Sequence, residues 1–166
     1  MKSEIAIDID AEPGLVFALA RDVERWSVLL PHYARSRVVD RAAEGRPVVQ
    51  FVARRPLVPV LGLALPVIWA SRTWNEPETR RLHFDHVAGA TRGMRVVWRI
   101  EPRAAGGARV TISHEFDPPI PGFAWLVDQF FTRPIARRTL ATFKALAEAV
   151  RDVTTSDRPP TANPSR

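Results

Sequence analysis

The stretch from Pro121 to Val153 constrains this chain most, because its two halves ask for different surroundings. From Ala136 onward, the apolar residues Ala136, Leu140, Phe143, Ala147 and Val150 recur at steps of four and three. They form one stripe down a helix docked on a sheet. The half before it spreads Phe123, Trp125, Leu126, Val127, Phe130 and Phe131 over more than one face. Pro134 removes a backbone donor inside the run and is expected to kink or interrupt the helix. A helix apolar on several sides needs cover on several sides, and the large partner available is a strand-rich region upstream. The pattern predicts a curved sheet wrapped around this terminal helix.

The upstream chain supplies the strands. Ile5, Ile7 and Ile9 alternate with Ala6, Asp8 and Asp10 as a half-buried strand. Asp10 is placed to cap a helix with Glu12 and Pro13 in its first turn and Leu15, Val16, Leu19 and Ala20 on its apolar face. Asp22 is placed to cap a short second helix carrying Val23, Trp26, Leu29 and Leu30, stopped by Pro31. Further strands are expected over 34–41, 48–54, 67–74, 81–87, 94–101 and 109–117, with turns at Glu44-Gly45, Glu76-Pro77 and Ala104 to Gly107. Short connections make consecutive strands antiparallel neighbours. The fold class is therefore α+β: a seven-stranded antiparallel sheet, two short helices after the first strand, and a long C-terminal helix. Thr154 to Arg166, rich in Pro, Thr and Ser, reads as a disordered tail, which leaves residues 1–153 as the domain.

Composition narrows the function classes. A chain of 166 residues is one domain with room for a sizeable core. The absence of cysteine excludes disulfides, zinc-thiolate sites and thiol nucleophiles. Met1-Lys2-Ser3-Glu4 leads straight into a strand pattern without a signal-peptide core, so a cytoplasmic location is expected. The net charge is +6, yet 22 of the 24 basic residues are arginines scattered along the chain, and a nucleic-acid partner is not expected. His32, His83, His86 and His114 fall on different elements with no carboxylate cluster, and no phosphate loop or G-x-S-x-G is present. Neither a metal nor a cofactor is expected.

The element order, together with Val23 to Tyr33 (VERWSVLLPHY), Gly93 to Trp98 (GMRVVW) and His114 to Asp117 (HEFD), resembles the polyketide cyclase/dehydrase branch of the START and birch-pollen-allergen superfamily. The resemblance spans roughly residues 3 to 152 and implies a helix-grip fold, with an elongated apolar cavity between sheet and helix. It turns one face of each strand inward: Val67, Trp69, Ser71 and Thr73; Leu82, Phe84 and His86; Met94, Val96 and Trp98; Ile112, His114 and Phe116. Trp26, Tyr33 and Phe130 meet these from the helical side. Arginines that aromatase/cyclase members carry inward fall here at Thr73 and His86, while Arg72 should point to the opposite face.

Implied ligand contacts are Trp26, Trp69, Ser71, Thr73, Phe84, Met94, Trp98, Phe116 and Phe130; implied catalytic groups are Tyr33, His86 and His114. Each has a purely structural alternative. The tryptophans suit any core of this size, and the histidines and tyrosine could simply bond their neighbours. In the functional reading, an imidazole takes or returns a proton beside a carbonyl, and an apolar slot orients a flexible poly-ketone for cyclisation or dehydration. The alternatives are a non-catalytic carrier for a lipid or quinone of the coenzyme-Q type, and a scaffold that fills its own cavity. The partner is a hydrophobic small molecule, delivered by an acyl carrier protein or at a membrane surface. The uncharged stretch Leu57 to Ser71, broken by Pro59, Gly62 and Pro66, is either a buried strand with an apolar connection or a lid at the cavity mouth.

Overall fold

The computed structural model describes residues 1–58 and 63–156. Strand β1 (Lys2–Ile9) is followed by helix α1 (Pro13–Arg21), a 3-10 turn (Val23–Arg25) and helix α2 (Trp26–Leu29). Then come β2 (Tyr33–Arg41), β3 (Pro47–Val58), β4 (Leu63–Glu76), β5 (Arg81–Gly89), β6 (Arg95–Pro102) and β7 (Ala108–Glu115). The chain closes with α3 (Phe123–Val127), a π turn (Asp128–Thr132) and α4 (Arg133–Ser156). The seven strands form one open antiparallel sheet in the order β1-β7-β6-β5-β4-β3-β2, the curved sheet that the sequence pattern predicts. Strands β3 and β4 are longer than the alternation alone indicates. The connection at 59–62, central to the lid alternative, lies outside the described residues.

One face of the sheet is apolar because residues two apart share a face. Val49, Phe51 and Ala53 of β3, Leu82 and Phe84 of β5, Val96, Trp98 and Ile100 of β6, and Val110 and Ile112 of β7 are all buried. Against them α4 lays Ala136, Leu140, Phe143 and Ala147, the stripe read from the sequence. Lys144 Nζ donates to the Asp8 carbonyl at 2.7 Å and the Asp10 amide to Glu148 Oε1 at 2.9 Å, so the far half of α4 is tied to the end of β1. The helix continues to Ser156, past the boundary expected at Val153, and 157–166 lie outside the described residues.

The expected caps do not form. Asp10 pairs with Arg103 at 2.9 Å, and Glu12 precedes α1 without a side-chain cap bond. Pro13 in the first turn has no N–H to satisfy, which lowers the need for one. Asp22 likewise caps nothing with its side chain; its carbonyl accepts from the Arg25 amide at 3.1 Å. The two helices are locked by Trp26, whose indole N–H donates to the Ala20 carbonyl at 3.0 Å. Edge strand β2 is irregular, with register shifts between Tyr33 and Arg35 and between Val38 and Asp40.

Pro134 interrupts the terminal helix through its immediate neighbours. Lacking an N–H, it cannot continue the regular ladder, and the Arg133 amide bonds back to the Asp128 carbonyl, five residues away, to give the π turn. The widened turn rolls Asp128 and Thr132 into the interior, where both are buried. Asp128 is held from two sides: Ser3 Oγ of β1 donates to Oδ1 at 2.9 Å, and Arg133 Nε donates to Oδ2 at 2.5 Å. Among the described residues, no helix is long and apolar enough to cross a membrane.

Removing that carboxylate strands a partly buried guanidinium and an inward hydroxyl. Asp128→Ala should therefore destabilise the fold by about 3 kcal/mol in urea titrations. A loss under about 1 kcal/mol would mean the carboxylate does not hold the π turn to β1.

Candidate functional site

The inward faces of β3 to β7 and the π turn leave a cavity of about 80 Å3 between sheet and terminal helix. Its sheet wall comprises Phe51, Val67, Trp69, Phe84, His86, Met94, Val96, Trp98, Ile112 and His114, with Thr91 from the β5–β6 connection. The opposite wall is Trp26 of α2, Tyr33 at the start of β2, and Phe131, Thr132, Ile135, Ala136 and Thr139 of the terminal helical segment. No carboxylate, guanidinium or ammonium lines it among the described residues. Its inner end is closed by Trp26, whose ring centroid lies 5.6 Å from Phe51, 5.5 Å from Phe84, 5.3 Å from Trp98 and 5.9 Å from Phe143.

The outer end is organised by a bulge. Ser71 pairs with His86 while Ala70 pairs with Ala88, so Val87 is the extra residue on β5. Gly89 then faces Trp69 at a φ of +92°, where an added Cβ would lie 2.5 Å from the Ile68 carbonyl oxygen. Only glycine permits this approach. The bulge brings the Trp69 ring parallel to the His86 imidazole, 5.9 Å between centroids and 18° between planes.

His86 Nδ1 and Thr91 Oγ1 share a hydrogen bond of 2.7 Å. Burial holds this imidazole down to about 3, and the neighbouring His114 pushes the same way. His114, on β7, is buried, and its Nδ1 has no partner among the described residues. It is pushed down to about 4, chiefly by burial; Asp128 opposes this and Arg133 adds to it. Both rings are therefore neutral at physiological pH, each with one donor nitrogen and one acceptor. Tyr33 is buried under the same cavity, and burial raises its phenol well above the ordinary tyrosine range, against a hydrogen bond with Thr139. A phenol so held is a donor, not a base.

Eight of the twelve residues singled out from the sequence line this cavity together: Trp26, Tyr33, Trp69, Phe84, His86, Met94, Trp98 and His114. Four do not. Ser71 and Thr73 are buried on the inward face but line no part of it, Phe116 is buried against Phe123 at 6.4 Å, and Phe130 is 46% exposed beside Trp125. Phe131, one residue on, takes the place expected of Phe130. Arg72 points outward, paired with Glu44 at 2.9 Å and Asp85 at 4.0 Å. The sequence reading missed Phe51, whose alternation with Val49 and Ala53 is visible in β3, and the threonines Thr91, Thr132 and Thr139, which carry no pattern. It also missed His32, which is buried, shares a 2.9 Å hydrogen bond with Thr139, and is pushed down to about 4 by burial and then by Arg138. Among the described residues, no group of three histidines or carboxylates is set to hold a metal.

Comparison with known proteins agrees with this architecture. The Zhui aromatase/cyclase from Streptomyces sp. R1128 superposes with a TM-score of 0.72 at 16% identity, covering 89% of this chain and 93% of its own. A protein from Thermus thermophilus gives 0.68 at 21% identity, over 90% of this chain and 99% of the other. A START superfamily protein from Mycobacterium smegmatis gives 0.66 at 12% identity, over 90% and 98%. At these identities the likeness shows the helix-grip fold alone. No curated protein matches the chain. The family described as polyketide cyclase / dehydrase and lipid transport matches residues 1–148, and by that match the chain belongs to it.

Proposed function

We propose that this domain binds an apolar, polyketide-like or polycyclic small molecule between its concave sheet and terminal helix. The observation that carries this is the chemistry of the cavity wall: mostly aromatic and aliphatic side chains, no ionic group among the described residues, and a few polar groups, the neutral imidazoles of His86 and His114, the Tyr33 phenol and the hydroxyls of Thr91, Thr132 and Thr139. His114, with Nδ1 unpartnered, meets a ligand carbonyl or hydroxyl, and His86, whose Nδ1 is engaged by Thr91, has Nε2 left for a second oxygen. The aromatic wall orients the molecule. Such a ligand has little solubility in water, so it reaches the domain from an acyl carrier protein or a membrane surface.

A second reading, cyclisation or dehydration of the bound molecule, gains from His86 and His114 sharing one cavity with the buried phenol of Tyr33. One imidazole would remove a proton next to a carbonyl, and the other or the phenol would return one to the departing oxygen. Rings that titrate near 3 and 4 are weak bases at neutral pH, which favours binding and carriage as the primary role.

Isothermal titration with naphthalene and 2-naphthol separates packing from hydrogen bonding. The wild-type chain should prefer 2-naphthol by about fivefold to tenfold, and His114→Phe should erase the preference while still binding naphthalene. Filling the cavity with Ile135→Trp should weaken both; unchanged affinity for both would refute the site.

The histidines also set a pH dependence. Their folded values lie below the ordinary imidazole value, so the unfolded chain binds more protons than the folded one once pH falls below about 6.5. Stability should therefore be full above that pH and decline as pH falls toward the folded values near 3 and 4. Between about pH 6.5 and 5, where carboxylates barely titrate, the urea midpoint should already drop, and His114→Phe should flatten that slope.

A further inference from the structure

We propose that His32, acting through Thr139, is a positioning residue that keeps the hydrogen of the Tyr33 phenol turned toward the cavity, where it meets a ligand carbonyl. The inference rests on the binding reading above and gives a task to a buried histidine that the cavity wall does not include.

A tight turn brings the pieces together. The Tyr33 amide donates to the Leu30 carbonyl at 2.9 Å across Pro31 and His32, and the Arg54 amide of β3 donates to the His32 carbonyl at 2.7 Å. Proline suits the second position of such a turn. In a regular strand the side chains of neighbours leave on opposite faces. At this corner leading into β2, the rings of His32 and Tyr33 instead stand 4.9 Å apart at 64° and reach the same hydroxyl of α4. His32 Nε2 and Thr139 Oγ1 are 2.9 Å apart, and Thr139 also hydrogen-bonds the Tyr33 phenol. All three residues are buried; Tyr33 and Thr139 line the cavity and His32 does not.

The hydroxyl of Thr139 is reserved for these partners. Thr142 and Thr154, also on α4, turn theirs back to the carbonyl four residues earlier, at 2.9 Å in each case. Thr139 makes no such bond among the described residues.

The direction of the chain follows from counting hydrogens. Burial keeps the His32 ring neutral at physiological pH, so one nitrogen carries a hydrogen and the other a lone pair. Nδ1 is buried with no partner among the described residues. A hydrogen there would leave a buried N–H unsatisfied, the rarer of the two vacancies. The hydrogen therefore sits on Nε2 and is donated to Thr139 Oγ1. Thr139 has a single hydrogen, which goes on to the phenol oxygen, and the phenol keeps its own hydrogen for the cavity. Each bond polarises the next, so the last donor in the chain is strengthened. A ketone, with lone pairs and no hydrogen to give, is the oxygen group that fits this end.

The test uses the full chain. Tyr33 is its single tyrosine, so the phenol is read without overlap. In Raman spectra the tyrosine Fermi doublet of the free protein should report a phenol that accepts without donating, and 2-acetylnaphthalene should add donation. His32→Phe should leave a phenol that donates to Thr139; a doublet unmoved by that substitution would overturn the relay. NMR of the imidazole nitrogens should find the His32 hydrogen on Nε2, and finding it on Nδ1 would overturn the direction argued here. Isothermal titration then compares 2-acetylnaphthalene with 2-ethylnaphthalene, which has a similar shape and no carbonyl. The wild-type chain should favour the ketone by about tenfold. His32→Phe, and Thr139→Val should the first variant not fold, should cut this to about threefold or less, the remainder belonging to His86 and His114. His32→Gln and Thr139→Ser, which keep the donors, should restore it. An equal loss of affinity for both compounds would give His32 and Thr139 a purely structural role and overturn the proposal, leaving the binding reading intact. Failure of the wild-type chain to bind either compound would overturn the binding reading and, with it, the donor role of the phenol.

Discussion

The packing of one indole ring holds this architecture together. Trp26 sits where the short helices, the concave sheet and the terminal helix converge, within 6 Å of the rings of Tyr33, Phe51, Phe84, Trp98 and Phe143. Its N–H is satisfied by the Ala20 carbonyl, so the ring is buried at no polar cost and its orientation is fixed from behind. Together with Val16, Phe17, Ala20 and Leu30 it seats the two short helices under the sheet. With it, the interior divides into a sealed aromatic end and an open end that accommodates polar atoms.

That open end depends on a different kind of order. The π turn turns Asp128 and Thr132 inward, and the carboxylate is held by Ser3 and Arg133 beside the imidazole of His114. A buried charge with partners on two elements fixes geometry more than it adds stability. Here it sets the distance between β1 and the terminal helix at the level where the cavity begins. The bulge at Val87 and the bare backbone of Gly89 do the same for the opposite wall, seating Trp69 flat against His86. Polar and steric constraints at the rim thus complement aromatic packing at the base.

The sequence carried much of this in its periodicities. Alternation grouped the strand residues by face and the family resemblance chose which face turns inward; the cavity lining includes His86, Met94 and His114 from that face. Proline marked the interruption of the terminal helix but not its form, since whether Pro134 produces a kink or a π turn depends on which carbonyls find donors nearby. That uncertainty decides between Phe130 and Phe131, adjacent residues whose rings leave the helix on different sides. The caps at Asp10 and Asp22 failed for a related reason: a short acid finds several partners in three dimensions, and Arg103 offered Asp10 a better one than the start of α1. Ser71 and Thr73 stand opposite His86 and Phe84 on the same inward face yet do not reach the cavity surface, a matter of side-chain depth that alternation cannot encode. The hydroxyls of Thr91, Thr132 and Thr139 came from three separate segments and left no signal at all.

The irregular edge at β2 bears on how such a domain survives in company. An open sheet with an apolar interior offers its outer strands to any passing chain, and a flat, hydrophobic border would zip copies together. In this chain the border at β2 breaks step twice and presents Arg35, Arg37, Asp40 and Arg41, while the border at β1 presents Lys2 and Glu4. Misfit backbone and a charged fringe make a poor template for a neighbour. The domain can thus keep a greasy hollow in its interior without offering the borders of its sheet as a template, its stickiness confined to the one place where a guest is wanted.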